Sequence, residues 1–360
     1  MALFACKNRK NGNGASLRLS QTTCNAQTQR PSLLQSVQKE LIYLPKQIQY
    51  ILKRVVYSVI TVFVLIIITF FLMHLMPGDP FSGTKAIQPE IKAALMAKYG
   101  LDKPLPVQFV HYVGNILHGD FGVSLLDKRP VAEIIGQTFP VSAELGLRSL
   151  IFAFIIGLLL GIVAAVKRGT AWDTTAMFLA LIGVSVPSFV LGALLQYFLG
   201  LQLYQATGMQ IFTVTGWGPE NSKLLPAFAL AFGSMATISR LMRTSMLDVL
   251  NQDYIKTAKA KGLSQSQIVW KHAVRNAIMP VVTVMGPMVA SVLTGTFVVE
   301  NIFTIPGMGK YFVQSVQMND YTTIVGTTLF FGAFLVFANL VVDIVYGLID
   351  PRIKLSGEKE

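Results

Sequence analysis

"RVVYSVITVFVLIIITFFLMHLM", residues 54–76, is the stretch that decides the class of fold, because it can cross a membrane as a single helix. A transmembrane helix needs about 20 apolar residues to span a hydrocarbon core of about 30 Å. The run begins too far from the N-terminus to be a cleaved secretory signal. It therefore predicts an uncleaved membrane helix over residues 51–76.

Composition extends this prediction to the whole chain. Of its 360 residues, 52% are hydrophobic and 13% charged, and the mean hydropathy is +0.55. Soluble domains carry roughly 25% charged residues. The net charge of +12 would also suit a nucleic-acid binder, but such proteins spread their basic residues over a solvated face. Here the basic residues lie between apolar runs, which favours a membrane protein and argues against nucleic acid as a partner.

Five more apolar runs follow the first, so the sequence predicts an all-α integral membrane protein with six transmembrane helices. The run that ends near Arg240 is the shortest and the least secure. The five runs are 142–166, 173–199, 224–242, 277–299 and 321–348.

Charge predicts the orientation of these helices. Lys and Arg number 21 in the segments 1–54, 167–173, 240–276 and 349–360, against 8 in the segments 77–140, 200–223 and 300–320. Segments rich in Lys and Arg remain in the cytoplasm. We therefore expect a multi-pass protein of the cell membrane, in contact with lipid, with both termini cytoplasmic.

The chain then divides into five predicted parts. Residues 77–140 should hold two short amphipathic helices, at 87–101 and 107–117. The parts are a polar cytoplasmic tail (1–50), the first transmembrane helix (51–76), an extracytoplasmic segment (77–140), a five-helix core (141–350) with a cytoplasmic coupling loop (244–276), and a short cytoplasmic tail (351–360).

Enzyme chemistry is not predicted for this chain. "PGMGKYF" at 306–312 lacks the spacing and the hydroxyl residue of a phosphate-binding loop. "LSQSQ" at 263–267 lacks the glycines of an ATPase signature, and the cysteines and histidines show no metal-binding spacing. We expect no catalytic residue, no bound cofactor and no metal site.

Two features lie inside the second predicted span. Glu144 and Arg148 are four residues apart, with the acid first, a spacing that favours mutual pairing. Gly157 and Gly161 form a G-x-x-x-G pattern, which lets helices approach closely but also arises by chance.

"DYIKTAKAKGLSQSQIVWKHAVRN", residues 253–276, interrupts the apolar runs with five basic residues and one glycine near its middle. It is rich in helix-forming residues. A helical hairpin broken at Gly262 would suit docking on a soluble partner. A basic loop that serves topology alone has no reason to be so long.

This loop resembles that of ABC importer permeases, with the pattern E-A-A-x3-G-x9-I-x-L-P. Ala258 and Gly262 match it, whereas Lys256 and His272 to Arg275 depart from it. The remainder of the chain is similar to the B-type membrane subunit of dipeptide and oligopeptide permeases, in which T-A-x-A-K-G and H-A-x-R-N are usual. The motifs that carry the resemblance are "MPGDPF" (76–81), "YGLDKPLPVQFVHYVGNILHGDFGVSL" (99–125), "IGVSVPSFVLG" (182–192), "VENIFTIPGMGKYF" (299–312), "NDYTTIVG" (319–326) and "VDIVYGLIDPR" (342–352).

The resemblance implies the type I ABC importer permease (MetI-like) architecture. It also implies a C-type permease partner in a heterodimer, two cytoplasmic ATPases that bind ATP and Mg, an extracytoplasmic peptide-binding protein and a peptide substrate. It places the ATPase-coupling residues in the loop, with Leu263 to Val269 in an ATPase groove. These residues are Lys256, Thr257, Ala258, Ala260, Gly262, Leu263, Ser264, Ile268, His272, Arg275 and Asn276.

Three alternatives remain open on the sequence. One is a secondary transporter driven by ion gradients, although these usually show inverted repeats, broken spans and polar midplane groups, none of which is evident in the sequence. Another is a membrane scaffold that transports nothing. The third is an ABC importer of nickel chelates or glutathione, which similar permeases also carry.

Overall fold

The computed structural model describes residues 46–75, 102–124, 126–318 and 320–349. Within these ranges the protein is helical, and the one extended pairing is an isolated bridge between Val123 and Pro130. The compact unit that holds the contacts discussed below begins at Arg54. The predicted tail 1–50 is described only from residue 46, where a helix begins, and the predicted helix 87–101 and the predicted tail 351–360 lie outside the described residues.

Eleven helices are described and are numbered here in chain order. Two of them contain a short stretch of wider π-type turns, at Gln196–Gln202 and Ile268–Ala273. The helices are α1 (Lys46–Leu75), α2 (Leu105–Leu117), α3 (Val131–Val166), α4 (Ala171–Ser185), α5 (Ser188–Thr207), α6 (Glu220–Leu250), α7 (Asp253–Ala260), α8 (Gln265–Ala277), α9 (Met279–Ile302), α10 (Met308–Gln317) and α11 (Tyr321–Ile349).

Among the described residues, five helices are long and apolar enough to cross a membrane: α1, α3, α5, α6 and α11. A sixth span results if α8 and α9, which meet at an angle of 50°, are taken together. The predicted all-α membrane fold is therefore confirmed. The predicted span 224–242 is part of α6, a helix of 31 residues.

The predicted third span, 173–199, is not a continuous helix. It breaks at Val186 and Pro187 into α4 and α5. Proline has no N–H and disfavours a helical conformation in the residue before it. Helix α4 has 15 residues and is about 22 Å long, which is shorter than the hydrocarbon core of a bilayer.

Helix α6 lies at the centre of the bundle and packs most closely on α3. A Cβ atom at Gly157 would lie 2.8 Å from the Met235 carbonyl oxygen, and one at Gly161 would lie 2.6 Å from that of Ser239. The G-x-x-x-G pattern therefore marks a close helix contact, because a side chain at either position would separate the two backbones.

Ion pairs join helices at both ends of this bundle. The predicted pairing of Glu144 with Arg148 is confirmed at 2.8 Å, and Arg148 also binds Glu220 at 2.7 Å. At the other end of α6, Arg243 makes two hydrogen bonds to Asp173 in α4, at 2.6 and 2.8 Å. Charged side chains thus join α6 to α3 at one end and to α4 at the other.

The α9–α10 turn is built around a buried carboxylate. Glu300 is fully buried, and its Oε2 accepts a hydrogen bond from the Gly309 N–H at 2.8 Å. A Cβ atom at Gly307 would overlap the same carboxylate. Glycine at 307 therefore allows the turn to close around Glu300, whereas a Cβ atom at Gly309 would overlap Phe297.

Candidate functional site

The segment 253–277 forms a helical hairpin, as the sequence predicts. Helix α7 ends with Gly262 in the left-handed conformation, at a φ of 75°. The Gly262 N–H donates to the Lys259 carbonyl, and the Leu263 N–H donates to the Ala258 carbonyl. This pair of bonds is the Schellman motif, which favours glycine because other residues are strained at positive φ.

The second arm of the hairpin begins immediately after this turn. The Ser264 side chain accepts a hydrogen bond from the Gln267 N–H, and the Gln267 side chain accepts one from the Ser264 N–H. This capping box satisfies N–H groups that have no partner within the helix. The turn is thus fixed by bonds on both sides of Leu263.

A small apolar core holds the two arms together. Ile255 and Ala258 of α7 are buried with Ile268 of α8, and Leu250 and Leu263 pack against them. These residues bury apolar surface between the two arms, so the hairpin is held together as a folded unit.

The hairpin is also joined to α6. Val269 and Ala273 of α8 are buried in the same core as Met242 and Met246 of α6. Packed side chains of this kind do not slide freely, because protein interiors are close-packed. A displacement of the hairpin must therefore displace the end of α6.

The predicted coupling residues differ in exposure. Two of the eleven, Ala258 and Ile268, are buried inside the hairpin and stabilise it. Leu263 and His272 are half-buried. Those exposed to solvent are Lys256, Thr257, Ala260, Gly262, Ser264, Arg275 and Asn276.

The placement of the stretch from Leu263 to Val269 in an ATPase groove stays a prediction, and the structure shows which of its side chains are exposed. Ile268 and Val269 are buried against the protein's own chain. The residues from Ser264 to Gln267 are exposed. Within 263–269, the side chains that are exposed to a partner therefore lie in the first turn of the arm.

Two exposed aromatic residues of the hairpin were missed on the sequence. Tyr254 is 43% exposed and Trp270 is 55% exposed. Each lies one position away from a buried residue, Ile255 or Val269, and so outside the apolar core. Tyr and Trp are enriched among residues that dominate protein interfaces, which makes both candidates for a docking contact.

A cavity of about 580 Å³ lies on another part of α6, between α4, α5 and α9. Its size is within the range of roughly 300–1,000 Å³ that is usual for ligand sites. Gly233, Ser234 and Thr237 of α6 line it, together with Gly183 of α4 and Ser188 of α5. The break between α4 and α5 thus lies at the cavity wall, where irregular backbone is tolerated at membrane depth.

Helix α6 connects the two features. Ser234 in the cavity and Met246 under the hairpin are twelve positions apart on this continuous helix. At 1.5 Å per residue they are separated by about 18 Å along the axis. The arrangement can transmit a displacement from the hairpin to the cavity through a single rigid element.

Comparison with known proteins gives the family. Residues 157–355 match the model for the inner membrane component of binding-protein-dependent transport systems, and residues 47–146 match the model for the N-terminal part of such components. A chain from inward-facing structures of the MetNI methionine ABC transporter is 18% identical and has a TM-score of 0.47, over 63% of this chain and 97% of that chain.

Curated relatives are closer in sequence. The dipeptide transport system permease protein DppB of Bacillus subtilis is 46% identical over 85% of this chain and 98% of its own length. The oligopeptide transport system permease protein OppB of Salmonella typhimurium is 39% identical over 85% of this chain and 99% of its own length. The chain therefore belongs to the ABC importer permeases, and within them to the B-type subunits of the dipeptide and oligopeptide permease family.

Proposed function

We propose that this protein is the B-type permease of an ATP-driven peptide importer, in which it forms a heterodimer with a C-type permease. The observation that carries the proposal is the continuous helix α6, which holds the 253–277 hairpin at one end and lines the cavity farther along. The peptide names of the relatives DppB and OppB support the choice of substrate.

In this proposal the hairpin docks on a cytoplasmic ATPase. Its exposed surface is basic, with Lys256, Lys259 and Arg275 exposed, and it carries the aromatic side chains of Tyr254 and Trp270. Closure of the two ATPases pushes the hairpin, and α6 carries the movement to the cavity. Such rigid-body movement of packed helices is a common basis of switching.

The cavity is the proposed path of the peptide. The C-type partner would close its open side, and a peptide-binding protein outside the membrane would deliver the substrate. The described part of the predicted extracytoplasmic segment, 102–124 and 126–140, and the α9–α10 turn would lie on the face that this protein meets, given the orientation expected from charge.

ATP and Mg would be bound by the partner ATPases and not by this chain. The reason is the sequence, which has no phosphate-binding loop. The purified subunit should therefore hydrolyse no ATP. Turnover by a preparation that contains no ATPase subunit would refute this part of the proposal.

Uptake in proteoliposomes tests the function as a whole. The B-type and C-type permeases are reconstituted with the two ATPases, and the binding protein and a labelled tripeptide are added outside. We expect uptake that needs ATP and persists when proton and sodium gradients are abolished. Uptake that follows an ion gradient without ATP would favour a secondary transporter, and no uptake of any peptide would favour a scaffold.

The choice between peptides and other cargo needs competition in the same assay. An excess of unlabelled tripeptide should block uptake of the label. Uptake of a nickel chelate or of glutathione that tripeptides fail to inhibit would identify the alternative cargo.

A further inference from the structure

Helix α2 is held against the C-terminal end of α1. The centroid of the Phe70 ring lies 5.2 Å from that of Phe109 and 5.6 Å from that of Tyr112. One turn farther along α1, the His74 Nε2 and the Gln108 Oε1 are joined by a hydrogen bond of 3.0 Å. These contacts join one turn of α2 to the end of a helix that is long and apolar enough to cross the membrane.

The contact lies at the depth of the bilayer edge. Arg54 begins the apolar run of α1, and Phe70 lies sixteen positions after it. At 1.5 Å per residue, Phe70 is about 24 Å and His74 about 30 Å from Arg54 along the helix axis. The hydrocarbon core of a bilayer is about 30 Å thick. The turn of α1 that α2 contacts therefore lies in the outermost hydrocarbon and at its boundary with the headgroups.

The chain that follows α2 is attached to the start of another membrane-spanning helix, α11. The Ser124 hydroxyl donates a hydrogen bond of 2.6 Å to the Asp320 carboxylate, and Asp320 directly precedes α11. The opposite ends of α1 and α11 are joined by an ion pair of 2.8 Å between Arg54 and Asp343. The two attachments of the α2 region therefore lie at the same surface of the bilayer, so that α2 runs along this surface.

One face of α2 is apolar and exposed. Val110 is 68% exposed and Leu117 is 77% exposed. They are seven positions apart, so they lie on the same face of the helix. Asn115 is also exposed, but at 3.6 residues per turn it lies about 140° around the helix from Val110. Helix α2 is therefore amphipathic, and its exposed apolar face has no cover within the described residues.

Lipid is the occupant of this face that the observations favour. Phe71, Leu72 and Leu75 at the end of α1 are also exposed, and they lie at the depth of the contact with α2. Helix contacts inside membranes are enriched in small residues that let the backbones approach, as at Gly157 and Gly161. The exposed side chains at the end of α1 and on the apolar face of α2 are instead large, and acyl chains accept them without a complementary surface.

From this placement we propose that α2 is an interfacial helix that lies along the outer leaflet, with Val110 and Leu117 among the acyl chains and Asn115 toward water. Helices of this kind bury their apolar face about 5–10 Å into the boundary between headgroups and acyl chains. The leaflet is the outer one by the orientation expected from charge. The bilayer then covers the apolar face, and a protein outside the membrane meets α2 on its polar side. The inference goes beyond the proposed function and does not depend on the cargo.

Fluorescence quenching tests this placement. Val110→Cys, Leu117→Cys and Asn115→Cys are made singly in a background in which Cys6 and Cys24 are replaced by serine, so that the new thiol is the only one in this chain. Each thiol is labelled with the environment-sensitive dye NBD, and the complete importer, with cysteine-free partners, is reconstituted in phosphatidylcholine vesicles. Quenching is measured with a nitroxide on the upper acyl chain of the lipid, and separately with iodide present on both sides of the membrane.

The label at 115 is the matched control, because it is exposed on the same helix but on the other face. We expect the nitroxide lipid to quench the labels at 110 and 117 about threefold more strongly than the label at 115, because the apolar face lies below the headgroups. Iodide should show the opposite order. The labels at 110 and 117 should be quenched to a similar extent by the lipid, since a helix that lies along the surface holds both at one depth.

Three results overturn the inference. Iodide quenching at 110 and 117 that equals the quenching at 115 places the apolar face in water. Protection of both labels from both quenchers means that a protein, such as the C-type permease, covers this face. Lipid quenching at one of the two positions alone means that α2 does not lie along the surface. Peptide uptake by the same vesicles is a separate measurement, so each of these results leaves the proposed function standing.

Discussion

Replacement of Gly262 tests whether the hairpin turn meets a second protein. Gly262 has a φ of 75°, and apart from its two neighbours in the chain no atom of the described residues lies within 4 Å of where its Cβ would be. The structural cost of a side chain is therefore the strain of the left-handed conformation, with no steric overlap. The variants are Gly262→Ala, Gly262→Asn and Gly262→Val.

The strain is small compared with the stability of the fold. A left-handed conformation costs an L-residue roughly 1–2 kcal/mol, and asparagine tolerates it best. Folded proteins are stable by about 5–15 kcal/mol. All three variants should therefore insert and fold, with the valine variant the least stable because it is β-branched.

The effect on transport should be larger than this strain explains. If an ATPase surface approaches the open space at Gly262, a side chain there obstructs the contact. We expect Gly262→Val to abolish uptake, Gly262→Asn to reduce it strongly, and Gly262→Ala to be milder because it adds one methyl group. The ATPases should either dissociate on purification or hydrolyse ATP without responding to the loaded binding protein.

Gly208→Val is the matched control. Gly208 ends α5 at a φ of 68° and is likewise open within 4 Å, so its replacement imposes the same strain far from the hairpin in sequence. Uptake should be retained. If Gly262→Val imports peptide at the wild-type rate with ATPase stimulation intact, or if Gly262→Asn is normal, the glycine serves the turn alone and the docking argument fails.

Three further predictions address the bundle and its orientation. Gly161→Ala should destabilise the protein by about 1–3 kcal/mol in thermal unfolding, since its Cβ would lie 2.6 Å from the Ser239 carbonyl oxygen. Gly136→Ala is the control and should be neutral or stabilising, because no described atom beyond its chain neighbours and its own helix backbone lies within 4 Å of its Cβ position. Equal effects of the two substitutions would contradict the close packing of α3 on α6. Asp173→Ala should cost roughly 1.5–3 kcal/mol by breaking the hydrogen bonds to Arg243, and a double-mutant cycle with Arg243→Ala that shows additivity would refute the coupling. In intact cells an impermeant thiol reagent should label Asn115→Cys and spare Ser266→Cys, in a background without Cys6 and Cys24, and the opposite pattern would invert the topology.

Hydropathy predicted most of the helices because their sequences are apolar over sufficient length. It did not predict the break in 173–199, since the residues on both sides of Pro187 are equally apolar and an average over the run conceals one missing N–H. It also placed the start of the second span at 142. Helix α3 begins at Val131, because polar residues such as Glu133 and Gln137 continue a helix as readily as apolar ones.

The hairpin was predictable where local bonds determine it. Gly262, together with Ser264 and Gln267, forms a helix stop followed by a helix start, both of which can be read from sequence. The exposure of Tyr254 and Trp270 and the burial of Ile268 depend on which face of each arm packs inward. The inward face of each arm is determined by its contacts with α6 and with the opposite arm. Those contacts are not visible in the few neighbouring residues from which a local prediction is made.

The cavity was not predictable, because its walls come from four helices that are distant in the sequence. Its importance lies in its relation to α6. Met242 and Met246 are held in a common core with Val269 and Ala273 of the hairpin, while Gly157 and Gly161 bring α3 into backbone contact with the same helix. A push on the hairpin therefore cannot be absorbed by a loop between the hairpin and the cavity. In the proposed mechanism it shifts α6, and α3 with it, and so changes the wall formed by Gly233, Ser234 and Thr237.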